Sequence, residues 1–316
     1  MFEDALWLFL AVGLCAFLIA SISAPVGLLT WWAGEHALDR VASTRSGPGP
    51  ATPPTRFIVY LGGIDVMDGR MHSVRERRFI DELVHRNPDW IVVDTVFPYA
   101  ASGESLLQSP RLFGWLWRAL APAPERARRP LRAYLINFRN MFQVLIAADR
   151  RYGPIFSSAL KRIVVDALKA RGWNADEPSH IVIIGYSGGA QMAVSIAGQF
   201  DAEPVSVEII SIGGTIVDAK GVEHVTNLAY LTGRGDILPR VAAACSAGRW
   251  PLVFGSAWAR AERGGRIRRR DLGKMSHLGD RGYLGDAVQG KASLPNWEIT
   301  LGAVCDFVSP ARGGEL

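Results

Sequence analysis

Short apolar runs that alternate with helical segments constrain this chain most strongly. Five runs are rich in Val, Ile, Leu and aromatic residues: Arg56–Leu61, Trp90–Val93, His180–Ile184, Val207–Ile212 and Leu228–Leu231. They lack the polar alternation of a strand with one face in water, so they predict strands buried on both faces. With helices between them, the expected fold class is α/β, with a mostly parallel central sheet covered by helices on both faces. We assign this domain to residues 57–316, with no internal repeat.

The segments between these runs have helical patterns. Ser73 and Glu76 have the spacing of a capping box, and Phe79, Ile80, Leu83 and Val84 follow as an apolar face. A second amphipathic helix contains Leu160 to Leu168 and ends near Gly172.

The N-terminal segment has a different character. No charged residue occurs from Ala5 to Gly34, which is long enough for one transmembrane helix. The acidic start, Glu3-Asp4, is atypical of a cleaved signal peptide. Basic residues occur only downstream, at Arg40, Arg45 and Arg56, which predicts a cytoplasmic C-terminal domain. We therefore expect a single-pass membrane protein, with an anchor over residues 1–40 and a Pro/Gly-rich linker over residues 41–56.

Composition limits the possible ligands. The three Cys, at positions 15, 245 and 305, are too few and too far apart for a disulfide scaffold or a zinc cluster, so we expect no metal. The serine chemistry described below implies no cofactor. The net charge of +5 has no accompanying nucleic-acid motif. The expected partner is an anionic lipid bilayer, and nucleic acid is not expected.

Residues 101–155 interrupt the strand–helix pattern and predict a cap over the sheet. The interruption contains Phe113, Trp115 and Trp117 and, soon after them, a cluster of Arg residues. Aromatic and Arg side chains together are typical of a lipid interface, so a lipid or another long-chain acyl compound is one expected substrate. The alternative is that the aromatic residues pack on the sheet and the Arg residues are solvated.

The segment Gly185-Tyr186-Ser187-Gly188-Gly189 fits the pattern G-x-S-x-G. A predicted strand precedes it and a predicted helix, 189–200, follows. This context predicts a sharp turn that exposes Ser187 as a nucleophile. A turn in a nucleotide-binding fold is the alternative, but neither G-x-G-x-x-G nor a ribose-binding acid is present.

A serine nucleophile needs a general base and an acid that orients it. In enzymes with this type of turn, the acid and then the His follow the Ser along the chain. Of six His, only His277 lies late enough, so we predict it as the base. Asp236 directly follows a strand and is the preferred acid, with Asp218 as its rival. Asp280 and Asp286 are interpreted as solvated or loop-capping residues.

Two backbone amides should stabilise the oxyanion that forms in the reaction. We expect them at Gly188, directly after the nucleophile, and at Gly63, in the loop after the first strand of the domain. The alternative for Gly63 is a simple turn that ends a strand.

Residues 56–310 resemble the α/β-hydrolase superfamily in the order in which the strands, the Ser187 turn, the acid and the His follow one another along the chain. Val96–Tyr99, the Trp-rich insertion and Met275–Tyr283 further resemble a group of bacterial membrane-anchored α/β-hydrolase-like proteins. The resemblance implies a serine hydrolase of the esterase or lipase type that acts through an acyl-enzyme. Leu61 and Tyr186 stand where many members have other residues, so substrate specificity does not transfer. A thioesterase, an acyltransferase and a non-catalytic membrane scaffold are the alternatives.

Overall fold

The computed structural model describes residues 54–66, 68–102, 130–217, 220–290 and 293–309. The predicted anchor, most of the linker, the aromatic part of the insertion and Asp218 lie outside these residues. Within them, no helix is both long and apolar enough to cross a bilayer.

A six-stranded parallel sheet forms the centre of the described fold. Its strands are β1 Arg56–Leu61, β2 Ile91–Val93, β3 Ser179–Tyr186, β4 Val205–Ile212, β5 Asn227–Thr232 and β6 Ile267–Asp271. They lie in the order β2-β1-β3-β4-β5-β6, and each pair of neighbours is parallel. Two short strands, β7 Val288–Gln289 and β8 Leu294–Pro295, pair antiparallel outside this sheet. The predicted α/β fold with a mostly parallel sheet is therefore confirmed.

Helices cover both faces of the sheet. They are α1 Val74–Arg86, α2 Pro130–Ala148, α3 Gly153–Lys169, α4 Gly189–Ala197, α5 Leu238–Cys245, α6 Ala257–Arg263 and α7 Asn296–Val308. Short 3₁₀ turns occur at Gly198–Phe200, Lys220–His224 and Ala247–Arg249. Helices α1 and α7 bury apolar side chains on one face, whereas α2, α3, α4 and α6 do so on the other.

Successive side chains of a strand alternate between these two cores. Phe57, Val59 and Leu61 pack on the α3 side, whereas Ile58 and Tyr60 pack on the α1 side. All five are completely buried. Because both faces of the strand are covered by helices, an unbroken apolar run is the sequence that satisfies them.

Helix α1 begins at the predicted capping box. The backbone N–H of Glu76 donates to the Ser73 hydroxyl, and the Glu76 carboxylate accepts from the Ser73 N–H. The predicted apolar face is narrower than expected: Phe79, Ile80 and Leu83 are buried, but Val84 is 47% exposed.

Strand β6 was not predicted from the sequence. Its sequence is Ile-Arg-Arg-Arg-Asp, and only Ile267 is buried. Since β6 is an edge strand, its Arg side chains extend into solvent, where Arg269 pairs with Glu262 and Arg270 with Asp306. An edge strand exposed in this way does not carry the apolar pattern of a buried one.

Candidate active site

The backbone is strained at Ser187, in the turn between β3 and α4. Its φ is +53°, in the left-handed region that side-chain-bearing residues rarely adopt and that costs about 1–2 kcal/mol. Two hydrogen bonds hold this conformation. The Ser187 N–H donates to the Ile212 carbonyl at 3.0 Å, and the Ser187 carbonyl accepts from the Thr215 N–H at 3.2 Å. The strain is thus sustained by the neighbouring strand and the loop that follows it.

Glycines on either side of Ser187 allow the strand and the helix to cross closely. A Cβ at Gly185 would lie 2.4 Å from the Ala190 Cα, and a Cβ at Gly189 would lie 2.2 Å from the Leu61 carbonyl oxygen. No side chain fits at either position, so the turn depends on both glycines.

His277 lies beside Ser187, in the loop that follows β6. Its Nε2 is 2.8 Å from the Ser187 Oγ. Tyr186 stacks on the imidazole, with ring centroids 6.1 Å apart, and its hydroxyl donates to the His277 carbonyl at 3.0 Å. The residue before the serine therefore positions both the ring and the backbone of the histidine.

Asp236 completes a continuous hydrogen-bonded chain with these two side chains. Its Oδ2 lies 2.8 Å from the His277 Nδ1, and its side chain is completely buried. Its Oδ1 accepts from the Leu238 N–H at 3.0 Å. A carboxylate only accepts hydrogen bonds, so Nδ1 carries the proton and Nε2 is left to accept from the Ser187 hydroxyl. This is the tautomer in which an imidazole can remove a proton from serine.

Tyr283 adds a contact that the sequence did not predict. Its hydroxyl donates to the Asp236 Oδ2 at 2.9 Å and accepts from the Gly233 N–H at 2.8 Å. Burial, and then the charge of Asp236, raise the pKa of Tyr283, so the phenol remains a donor. The only sequence signal for this contact is that Tyr283 follows His277 in the same loop.

The two glycines predicted to supply the oxyanion amides lie near the serine. A Cβ at Gly63 would be 3.7 Å from the Ser187 Cβ, and Gly188 follows Ser187 directly. Neither amide donates a hydrogen bond to another described residue. Both N–H groups are therefore available to an oxygen of a bound substrate.

The loop that contains Gly63 is held by the side chain of Asn140, on α2, and by that of Tyr99. The Asn140 Nδ2 donates to the carbonyls of Ile64 and Val66, at 2.8 Å each. The Tyr99 hydroxyl donates to the Gly62 carbonyl at 2.8 Å. All three carbonyls belong to the segment Gly62–Val66 that contains Gly63, so we call Asn140 and Tyr99 the loop clamp. Sequence analysis missed it, although an Asn buried in a helix is itself an uncommon signal.

Arg139 joins the two halves of the loop clamp. Its guanidinium donates to the Tyr99 carbonyl and, at 2.9 Å, to the Asn140 Oδ1. Burial lowers the pKa of Arg139 to about 10, which leaves it charged at neutral pH. Among the described residues, no carboxylate pairs with it, so these two oxygens stabilise the buried charge.

A cleft of about 630 Å³ adjoins Tyr186 and the His277 loop. Asp65, Glu76, Arg75 and Arg78 contribute charged groups of both signs to its lining. Asp280 and Asp286 form ion pairs with Arg75 and Arg78 beside it, not with His277.

The described residues contain no group of three or more His, Cys, Asp or Glu side chains that could hold a metal ion. Within the same residues, Cys245 is free and exposed, and Cys305 is free and half-buried.

The models of known protein families and the curated proteins give no match to this chain.

Proposed function

We propose that this protein is a serine hydrolase of the α/β-hydrolase fold that cleaves carboxylic esters. One observation carries the proposal: Ser187, held at a positive φ in a strand–turn–helix, is hydrogen-bonded through His277 to the buried Asp236. A structural serine needs neither the strained turn nor the two further side chains in line with its hydroxyl. Nucleophilic catalysis uses all three features, because the turn exposes the hydroxyl, the imidazole takes its proton and the carboxylate orients the imidazole.

In the proposed reaction, the Ser187 Oγ attacks the acyl carbon while His277 Nε2 takes the hydroxyl proton. The buried carboxylate of Asp236 stabilises the imidazolium that forms. The N–H groups of Gly63 and Gly188 donate to the tetrahedral oxyanion. His277 then gives its proton to the departing alkoxide, which leaves as the alcohol. The acyl group stays on the Ser187 Oγ as an acyl-enzyme. Water, deprotonated by His277, attacks the acyl carbon of the acyl-enzyme. The C–O bond to Ser187 then breaks, and His277 returns the proton to the Ser187 Oγ as the carboxylic acid leaves.

The proposed substrate is a lipid or another long-chain acyl ester. Support comes from the uncharged stretch Ala5–Gly34 and from the aromatic and Arg residues of the insertion, which favour an enzyme anchored in a membrane by one helix. The basic residues that follow this stretch favour a catalytic domain in the cytoplasm. A thioester, or an acceptor other than water, would use the same three side chains.

The proposal is tested by labelling the full chain with a fluorophosphonate probe. This probe phosphonylates a serine only when a base activates the hydroxyl. Wild type should be labelled at Ser187, as located by mass spectrometry, and Ser187→Ala should not be labelled. Ser158→Ala removes an exposed hydroxyl on α3 and should be labelled like wild type.

Equal labelling of wild type and Ser187→Ala would overturn the assignment of the nucleophile. Absence of labelling in a folded wild-type chain would favour a non-catalytic membrane scaffold.

A further inference from the structure

The segment 237–254 places an unusual amount of apolar surface in solvent. Five of its large apolar side chains are at least half exposed: Ile237, Val241, Trp250, Leu252 and Phe254. In the rest of the described chain only Val74, Leu278 and Val288 are exposed to that extent. We call the five side chains the apolar ridge. Exposed apolar groups concentrated in this way mark an interaction surface.

Hydrogen bonds join the parts of the apolar ridge into one surface. Ile237 and Val241 lie one turn apart at the start of α5. The Trp250 indole N–H donates to the Ala244 carbonyl at 2.8 Å, which fixes the ring at the other end of the same helix. The Val253 N–H donates to the Trp250 carbonyl at 3.0 Å, so the loop with Leu252 and Phe254 continues from it.

Unpaired Arg side chains flank the apolar ridge. Residues 237–270 contain eight Arg and one Glu. Three of these Arg, at positions 260, 269 and 270, pair with the carboxylates of Glu223, Glu262 and Asp306. Arg240 lies beside Val241, and Arg263 donates to the Phe254 carbonyl at 2.8 Å. Neither pairs with a carboxylate among the described residues. Apolar side chains flanked by unpaired Arg match the acyl and phosphate layers of an anionic membrane.

From this arrangement we infer that the apolar ridge, with Arg240 and Arg263, docks on the surface of a bilayer that contains anionic lipids. The segment begins directly after Asp236, whose Oδ1 accepts from the Leu238 N–H. Docking therefore turns the candidate active site towards the lipid. The inference concerns a surface that lies outside the predicted anchor and outside the aromatic part of the insertion, and it holds whether or not Ser187 is a nucleophile.

The tether is long enough for this orientation. The linker ends at the start of β1, which lies at the edge of the sheet opposite the carboxyl ends of the strands. Residues 41–56 span at most about 55 Å when extended. An eight-residue strand such as β3 is only about 27 Å long. A domain linked at one edge of the sheet can therefore turn its other edge to the membrane.

The test measures amide hydrogen exchange of the full chain in three environments: detergent, phosphatidylcholine nanodiscs, and nanodiscs of phosphatidylcholine mixed with phosphatidylserine. Amides of residues 237–254 should exchange most slowly on the anionic nanodiscs, and added salt should restore faster exchange. Amides of α1 should exchange alike on both kinds of nanodisc.

Two pairs of substitutions separate the apolar contribution to membrane docking from the electrostatic one. Leu252→Ser with Phe254→Ser should abolish the protection, whereas Val84→Ser, at an exposed apolar position on α1, should leave it intact. Replacing Arg240 and Arg263 by Gln should lower the ratio of docked to undocked chains by about fivefold for each charge. Arg171→Gln, in the exposed turn after α3, is the matched control.

Three results would overturn the inference. The first is equal exchange of residues 237–254 in detergent and on both kinds of nanodisc. The second is protection in detergent that increases with protein concentration and accompanies a dimer mass, because a second copy of the chain then covers the apolar ridge. The third is protection by an anionic polynucleotide but not by anionic lipid.

Discussion

The Tyr283 hydroxyl and the His277 Nδ1 both hydrogen-bond to Oδ2 of Asp236, at 2.9 Å and 2.8 Å. The other carboxylate oxygen accepts from the Leu238 N–H at 3.0 Å. Asp236 therefore has three donors fixed around it in a buried site. Because the tyrosine and the histidine share one oxygen, the orientation of the phenol also restricts the direction in which the imidazole can lie.

We expect Tyr283→Phe to fold and to lower kcat about tenfold with little change in KM. Losing one hydrogen bond to a charged group weakens the positioning of Asp236 by about 1.5 kcal/mol. Steady-state kinetics on a soluble ester measures both constants.

Tyr230→Phe is the control for that change, since it removes a buried phenol whose hydroxyl donates to the Gly214 carbonyl at 3.3 Å. It should leave kcat and KM near their wild-type values. A wild-type kcat in Tyr283→Phe would reduce Tyr283 to a packing residue.

At position 187, alanine and glycine should separate catalysis from backbone strain. Both substitutions should lower ester turnover by about 10⁴-fold or more, as expected when a triad nucleophile is lost. Glycine tolerates the φ of +53° without strain, so Ser187→Gly should be as stable as Ser187→Ala or more stable, by up to about 1 kcal/mol. Urea unfolding of the two variants measures the difference.

Ser195, inside α4, provides the matched comparison. There Ser195→Gly should be less stable than Ser195→Ala by about 1 kcal/mol, because helix interiors disfavour glycine. The same order of stabilities at both positions would show that the strain at Ser187 has no energetic consequence.

Asp236→Asn should fold and lose about 10⁴-fold in kcat, because the amide favours the wrong imidazole tautomer. Asp218→Asn tests the rival acid and should have a milder effect. Asp286→Asn, which removes an exposed carboxylate that pairs with Arg78 and Arg75, should leave kcat within about twofold of wild type. If Asp218→Asn were the more damaging change, the acid would follow β4 and not β5.

His180 makes the stability of the fold depend on pH. It lies at the start of β3 with its ring edge-on to Trp90, 5.1 Å between centroids. Burial lowers the pKa of His180, and Glu208 opposes this shift. The unfolded chain therefore binds a proton more readily than the folded one, so the free energy of unfolding should fall as pH drops below about 6.5.

His180→Gln should remove this part of the acid sensitivity. Urea unfolding between about pH 7.5 and 5.5 should show a smaller loss of stability in the variant than in wild type. His85→Gln, at an exposed position on α1, serves as the control and should follow the wild-type curve. An equal loss in His180→Gln and wild type would mean that other groups carry the pH dependence.

Local patterns in the sequence predicted the sheet well, for a physical reason. Strands β1, β3, β4 and β5 are covered on both faces, and burial of most of their side chains leaves runs that are mainly apolar. The sequence does not predict strand β6, because this strand lies at the edge of the sheet with Arg268 to Arg270 in solvent and so lacks an apolar pattern. A helix face was predicted one residue too wide, since periodicity alone does not show where the packing of α1 on α7 ends.

The candidate site likewise contains residues that the sequence predicts and contacts that it does not. Chain order and turn chemistry predict Ser187, Asp236 and His277 from the sequence alone. The contact of Tyr283 with Asp236 joins residues 47 positions apart. It forms only because the loop after β6 folds back towards Asp236. The contact of Asn140 with Val66 spans 74 positions, between an insertion and the loop after β1. No local pattern encodes such distances.

The loop clamp should act on the transition state more than on substrate binding. The Asn140 Nδ2 donates to the carbonyls of Ile64 and Val66. Since Gly63 lies between β1 and Ile64, these hydrogen bonds restrict the direction of the Gly63 N–H. A donor that is misaligned loses most of its effect on a developing oxyanion, which is worth about 2.7–4 kcal/mol per donor. Asn140→Ala should therefore lower kcat by about 10–100-fold and leave KM within about threefold of wild type.

Asn137→Ala is the matched control for that substitution. It lies one turn earlier on α2, and its Oδ1 has no hydrogen-bond partner among the described residues, so kcat and KM should stay near the wild-type values. Tyr99→Phe removes the bond to the Gly62 carbonyl and should shift kcat in the same direction as Asn140→Ala, by a smaller factor. Since both clamp residues act on one loop, the double variant should lose less than the product of the two single losses. Fully multiplicative losses, or an increase in KM with unchanged kcat, would show that Asn140 and Tyr99 serve substrate binding or packing and do not position the Gly63 amide.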